Sequence, residues 1–254
     1  MRFLTAALLL FTLPAQADPL YGSIVDQEYD LVRTSDPTVF HCLEDAGTGV
    51  RQFWDKRLDN EFNHNAYIFI ARFRDGTNIE VSVNPEFGSV EAARAEALRY
   101  TAPLGRLPTA IRAGWERLGI HKGDETMSAG VGKAFAYSDN VTKRLQAKKF
   151  EETLFHEGVH VSLGEKHDRA RGWRTAQRAD GRFLTGYGQD HPDNEDLADT
   201  VPFVYAMIHH PGRIPRDDAA LIQNAIPNRI AYIERLFPKD RPVFYRVGPT
   251  VDCP

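Results

Sequence analysis

The chain has 254 residues, a formal net charge of −4 and an apolar fraction of 42%. That is enough to bury a core as one large domain or two small ones. The mild acidic balance argues against a nucleic-acid partner, whose binders carry a basic excess, and no stretch is long and apolar enough to span a bilayer as a helix.

The chain opens with Arg2, an apolar run from Phe3 to Leu13, and Ala15-Gln16-Ala17. A positive start, a short apolar core and a small-x-small site predict a signal peptide over residues 1–17, cleaved after Ala17, and an exported product, secreted or periplasmic. The two cysteines, Cys42 and Cys253, are expected to pair in such an oxidising compartment, closing a loop of about 210 residues. Residues 18–60 are mixed: "GSIVDQEYDLV" reads as a candidate strand, and "DAGTGV" as a glycine-containing turn. Two β-rich runs follow, Ala66 to Phe73 and Asn78 to Val83, with Asp75-Gly76 between them as a hairpin signal. From Ser89, a Ser cap and an Ala/Glu/Arg-rich stretch predict a helix. Ile111, Trp115 and Leu118 then fall at helical spacing and predict a second. "GKAFAYSD" reads as a short strand, and a long helix is expected from about Lys143 to Leu163. A basic, polar segment covers 165–182. The stretch from His191 to His210 reads as a helix that Pro202 should kink or interrupt, and a last helix should break near Pro227. These elements predict an α+β fold in a single domain spanning 18–254: a small N-terminal β-sheet within 18–88, then a helix-rich half over 89–254.

The long helix carries His156-Glu157-Gly158-Val159-His160. Histidines four apart lie one turn apart on one helix face, so both imidazoles can reach one ion, and neutral imidazole suits Zn²⁺. Glu157 stands beside the first ligand, where it can address a water without binding the metal. Apolar neighbours such as Phe155, Val159 and Val161 predict that this helix is buried, and its polar groups then need partners.

A catalytic zinc usually has three protein ligands and one open position. One candidate third ligand is Glu195, in Asn194-Glu195-Asp196-Leu197-Ala198-Asp199. With this stretch the chain resembles the gluzincins, the thermolysin-like branch of the zincin metallopeptidases, whose H-E-x-x-H is followed by N-E-x-x-(S/A)-D. It is also similar to secreted bacterial putative zinc peptidases, through Trp173, Ala176, Asp180-Gly181, Phe183, Thr185, Tyr187, Pro192 and Glu195 to Asp199. The likeness spans about Thr153 to Tyr205. It implies a zincin-like fold, His156, His160 and Glu195 as zinc ligands, Glu157 as general base, and Asp199 as a carboxylate that orients a ligand histidine. The gap from His160 to Glu195 is longer than in thermolysin, and Asp199 stands where the second pattern has Glu. The alternative third ligands are His167 and Asp168; His167 and Gly164 lie out of register with the metzincin pattern H-E-x-x-H-x-x-G-x-x-H.

The resemblance implies an enzyme, a zinc metallopeptidase that hydrolyses a peptide or protein substrate. Tyr187 is the first candidate for stabilising the oxyanion, with His191 and Tyr205 as rivals. "GKAFAYSD" is the candidate strand for pairing with an extended substrate. The cations between Lys166 and Arg182 are expected on a solvated loop face. The alternative to an enzyme is a secreted binding protein with a zinc-stabilised fold.

Overall fold

The turn at Asp75-Gly76 forms as expected, with Gly76 in the left-handed region at φ 89°, and β2 (Asn60–Phe73) pairs antiparallel with β3 (Asn78–Val83) across it. Ile79, Val81 and Val83 are fully buried, as their alternation requires. The computed structural model describes residues 17–253; the expected leader lies outside the described residues apart from Ala17.

The stretch near residue 47, expected as a glycine-containing turn, is a bulge inside a strand. It lies within β1 (Phe40–Asp55), which pairs with β2 and breaks register between Asp45 and Thr48, with Gly47 at φ 78°. An extra residue at a bulge bends a strand without ending it. The sheet has six strands in the order β1-β2-β3-β4-β6-β5. β4 (Arg117–His121) and β6 (Lys133–Tyr137) run parallel to β3, and β5 (Ser128–Gly130) closes the edge antiparallel to β6. The fold is α+β, and the sheet draws three strands from beyond residue 89.

α1 (Val90–Arg106) starts at Ser89, whose side chain accepts from Ala92 N–H. Ala93, Ala97, Tyr100 and Leu104, at spacings of four, three and four, form the face it buries. The second expected helix is a single turn, α2 (Thr109–Arg112); the chain then bends and Leu118 enters β4. Ile111, Trp115 and Leu118 are all buried, so the periodicity reported burial correctly but not the element. Gly114 makes the bend possible: a Cβ there would lie 2.4 Å from Ser162 Oγ.

The long helix expected from about Lys143 is two helices. α3 (Ser138–Gln146) ends before Lys148, at φ 55°, and α4 (Phe150–Val159) begins after it. Glu151 and Glu152 in the first turn of α4 complement the helix dipole. A π-helical turn follows (His160–Gly164), then α5 (Glu165–His167). The basic segment is not a loop: α6 (Arg171–Asp180) buries Trp173 and ends on left-handed Gly181. α7 (Gly186–Asp190) precedes α8 (Asp196–His209), which Pro202 does not interrupt, because packing on every side buries Asp196 through Ala206. α9 (Arg216–Ala225) and α10 (Pro227–Leu236) divide at Pro227 as expected.

Two segments without regular structure tie the layers together. "GSIVDQEYDLV" is no strand. Leu31 and Val32 N–H donate to Glu152 Oε1 at 2.8 and 3.3 Å, Lys149 Nζ to Tyr29 O at 2.5 Å, and Tyr21 bridges Thr185. The C-terminal tail crosses the hairpin, with Val247 N–H on Asp75 O at 2.8 Å, and ends in a Cys42–Cys253 disulfide with Cα atoms 6.1 Å apart, within the usual range. Among the described residues no helix is long and apolar enough to cross a membrane.

Replacing both Cys42 and Cys253 by Ser is expected to lower unfolding free energy by about 2–5 kcal/mol, read as a lower urea midpoint. Gly158→Ala places a methyl 2.5 Å from Ile111 Cγ2 and is expected to cost about 1–3 kcal/mol through overpacking, read in the same assay.

Candidate metal centre

Helices α4 and α8 build the site between them. His156 and His160 sit one turn apart on α4 and the turn that follows it, and Glu195 stands at the N-cap of α8. Their metal-facing atoms form a triangle: His156 Nε2 to His160 Nε2 3.1 Å, His160 Nε2 to Glu195 Oε2 3.1 Å, His156 Nε2 to Glu195 Oε2 3.2 Å. Two imidazole nitrogens that close repel as lone pairs unless a proton or a cation lies between them. Tetrahedral zinc with ligand bonds of 2.0–2.1 Å holds its ligand atoms about 3.4 Å apart, so the triangle fits that ion with little adjustment. The three residues form a His/His/Glu group able to hold a metal ion.

Glu195 and Asp199, one turn apart on α8, address the two nitrogens of one ring. Asp199, fully buried, lies with Oδ1 2.9 Å from His156 Nδ1, which leaves Nε2 for the metal. Thr185 Oγ1 donates to the other Asp199 oxygen at 2.7 Å and accepts from Gly188 N–H at 3.0 Å. Thr185 therefore caps α7 and orients Asp199 at once, a role with no signal in the residues beyond its place in the pattern. Burial pulls the His156 imidazole down, but Asp199 and Glu195 more than offset this and hold it up at about 10. Burial pushes the Glu195 carboxyl up, and His156 and His160 pull it well below the usual carboxylate range. Burial raises the Glu157 carboxyl, although the two histidines oppose this.

The start of α8 is fixed from behind. Arg229 and the residue after Glu195, Asp196, are both buried and pair at 2.5 Å; Arg229 also meets Asp180 at 3.0 Å. Gln177 Nε2 donates to Asp196 Oδ2 at 2.7 Å. Breaking a buried pair of this kind leaves an uncompensated charge, so the position of Glu195 is held by α6 and α10 as well as by α8.

Two cavities flank the triangle. One, of about 400 Å³, is bounded by β5, Glu165 and Asp168; the other, of about 710 Å³, by Gly22 to Asp26, Asn140 and Arg144. His156, Glu157 and Tyr187 line both. Tyr187, on α7, has its ring centroid 6.4 Å from that of His156, and burial with the nearby Glu195 and Asp199 carboxylates pushes its phenol up to about 12. His191 packs on Tyr187 at 5.0 Å and lines neither cavity. Tyr205 is buried against Phe155 and Phe237, away from both. Of the alternative ligands, His167 Nδ1 meets Tyr232 Oη at 2.7 Å and stands outside the His/His/Glu group. Asp168 borders the smaller cavity without joining that group, and burial pushes its carboxyl up to about 6. The strand "GKAFAYSD" is β6, paired on both sides, so it has no free edge to offer a substrate; β5 has one and lines the smaller cavity. The sequence also gave no sign that residues 22–26 or Lys56 would reach the cleft.

No protein-family model, no curated protein and no solved structure matches this chain. The arrangement predicts its own metal chemistry. A metal ion bound there would have to displace the proton that Asp199 and Glu195 stabilise on His156, so affinity for a divalent metal ion should fall as pH drops below about 10, by about tenfold per unit for each proton released; calorimetry in buffers of different ionisation enthalpy counts those protons. Asp199→Asn should weaken metal binding by about 10- to 100-fold and release fewer protons in the same titration.

Proposed function

We propose that this protein is an exported zinc-dependent metallopeptidase of gluzincin type, with His156, His160 and Glu195 as zinc ligands and Glu157 as general base. The observation that carries the reading is the triangle of two imidazole nitrogens and one carboxylate oxygen beside a cleft that Glu157 also lines. A purely structural zinc site usually closes its fourth position and has no use for a base; here a carboxylate stands next to the ligands and faces open space. Export agrees with the leader-like start of the sequence and with the disulfide.

Zinc, when bound, supplies the Lewis acidity that polarises a peptide carbonyl and acidifies a water. The residues of the chain do the rest. Glu157 takes the proton from the attacking water and delivers it to the leaving amine, a task that a carboxyl raised by burial suits. The Tyr187 phenol, held neutral, donates toward the carbonyl oxygen. An extended peptide adds to the free edge of β5, its backbone pairing with Ser128 to Gly130 while its side chains enter the two cavities. Asp199 and Thr185 hold His156 in the tautomer that keeps Nε2 free.

Glu157→Gln is expected to retain one zinc per chain and lose about 10²- to 10⁴-fold in peptide hydrolysis. Glu195→Ala should lose the metal while His167→Ala keeps it, measured by elemental analysis of the dialysed proteins. Zinc retained in Glu195→Ala would refute the ligand set.

A further inference from the structure

The two cavities beside the metal centre share five lining residues: Lys56, Met127, His156, Glu157 and Tyr187. If the cleft cuts peptides, the bond under attack lies at this seam, with the flanking residues of the substrate running into one cavity and the other. α4 provides the floor, His156 and Glu157. Tyr187 provides one wall. Lys56 comes from the turn between β1 and β2, a different element altogether.

That turn is firmly built. Lys56 N–H donates to Tyr137 Oη at 2.6 Å. Its neighbours form the Arg57–Asp55 pair at 2.7 Å, and Arg57 reaches on to Glu86 at 3.2 Å and Lys122 O at 2.9 Å. The backbone that launches the side chain is thus fixed to β4 and β6. The ammonium itself is not committed: its hydrogen-bond partner is Thr126 Oγ1 at 2.5 Å, and among the described residues no carboxylate pairs with it. An ammonium has three donors, so two remain for the cleft. The contrast with neighbouring cations is informative, since Arg51, Arg57 and Arg72 on the same two strands and their turn are each paired to a carboxylate.

We infer that Lys56 is a further catalytic residue, donating a hydrogen bond to the substrate carbonyl oxygen as that oxygen gains charge, together with Tyr187. The inference rests on the metallopeptidase reading. In the step, the water oxygen bonds to the carbonyl carbon, the C=O π pair moves onto the oxygen, and Glu157 takes the water's proton. Lys56 keeps all its protons and contributes only the field and the hydrogen bond. As the tetrahedral species collapses, the C–N bond breaks and Glu157 returns the proton to the amine.

The test compares zinc-loaded wild type with Lys56→Met and Lys56→Arg, using two peptidic zinc ligands of matched sequence. A phosphonamidate places an anionic tetrahedral oxygen where the carbonyl oxygen would go; a mercaptoacyl peptide binds through sulfur and presents no such oxygen. Binding is read by calorimetry, with zinc content and thermal midpoint measured alongside. Lys56→Met should keep one zinc per chain and lose about 10- to 100-fold in phosphonamidate affinity, while mercaptoacyl affinity stays within about twofold and Lys56→Arg recovers most of the loss. Unchanged phosphonamidate binding overturns the role, and so does an equal loss for both compounds, which would make Lys56 a general part of the cleft wall. A wild-type protein that holds zinc and binds neither compound fails the metallopeptidase reading itself, before any substitution is made.

Discussion

Asp199 brings a fully buried carboxylate to 2.9 Å from His156 Nδ1, and it can do so only because α8 packs along α4 with its first turn against the histidines. The rest of the architecture serves that approach. Gly158 lets α4 lie against Ile111 and Trp115; α1 and the sheet back it on that side. Arg229, Gln177 and Asp180 hold the start of α8 from the other side. Thr185 fixes the carboxylate's remaining oxygen. The interior of the helical half is therefore charged as well as apolar, and the buried charges are arranged in pairs whose cost is offset only when both helices are in place.

The pairing has an electrostatic logic. Two imidazoles and a carboxylate lie within 3.2 Å of one another, and Asp199 brings a second carboxylate to His156. The same carboxylate that stabilises a proton on His156 makes that ring a more basic ligand once the proton has left. The group is in this sense suited to either of two cations, a proton or a metal ion.

Much of this was legible in the residues. Asp75-Gly76 marked its turn because few residues accept that backbone, and His156 and His160 were legible as neighbours because residues at i and i+4 share one helix face. Glu195 and Asp199 followed the same rule. What the sequence hid were encounters between distant segments. Trp115 and Leu118 showed that they are buried but not that one sits in a bend and the other in a strand, since burial period alone does not distinguish a short helix from packed turns. Gly47 looked like a loop because a bulge and a turn use the same residue. Lys56 and residues 22–26 gave no signal of their place at the cleft, which depends on how a hairpin and a strap fold back over helices far along the chain.

The two ends of the described chain meet the cleft very differently. Asp18 accepts a hydrogen bond from Arg182, and within a few residues the backbone pairs with 184–187 and becomes a wall of the larger cavity. Cys253 is stapled to Cys42 near the opposite end of β1 from Lys56, a strand length of about 40 Å away at 3.3 Å per residue. Cargo fused ahead of Asp18 would therefore sit beside the larger cavity, whereas cargo fused past Cys253 would sit toward the far end of β1 from Lys56.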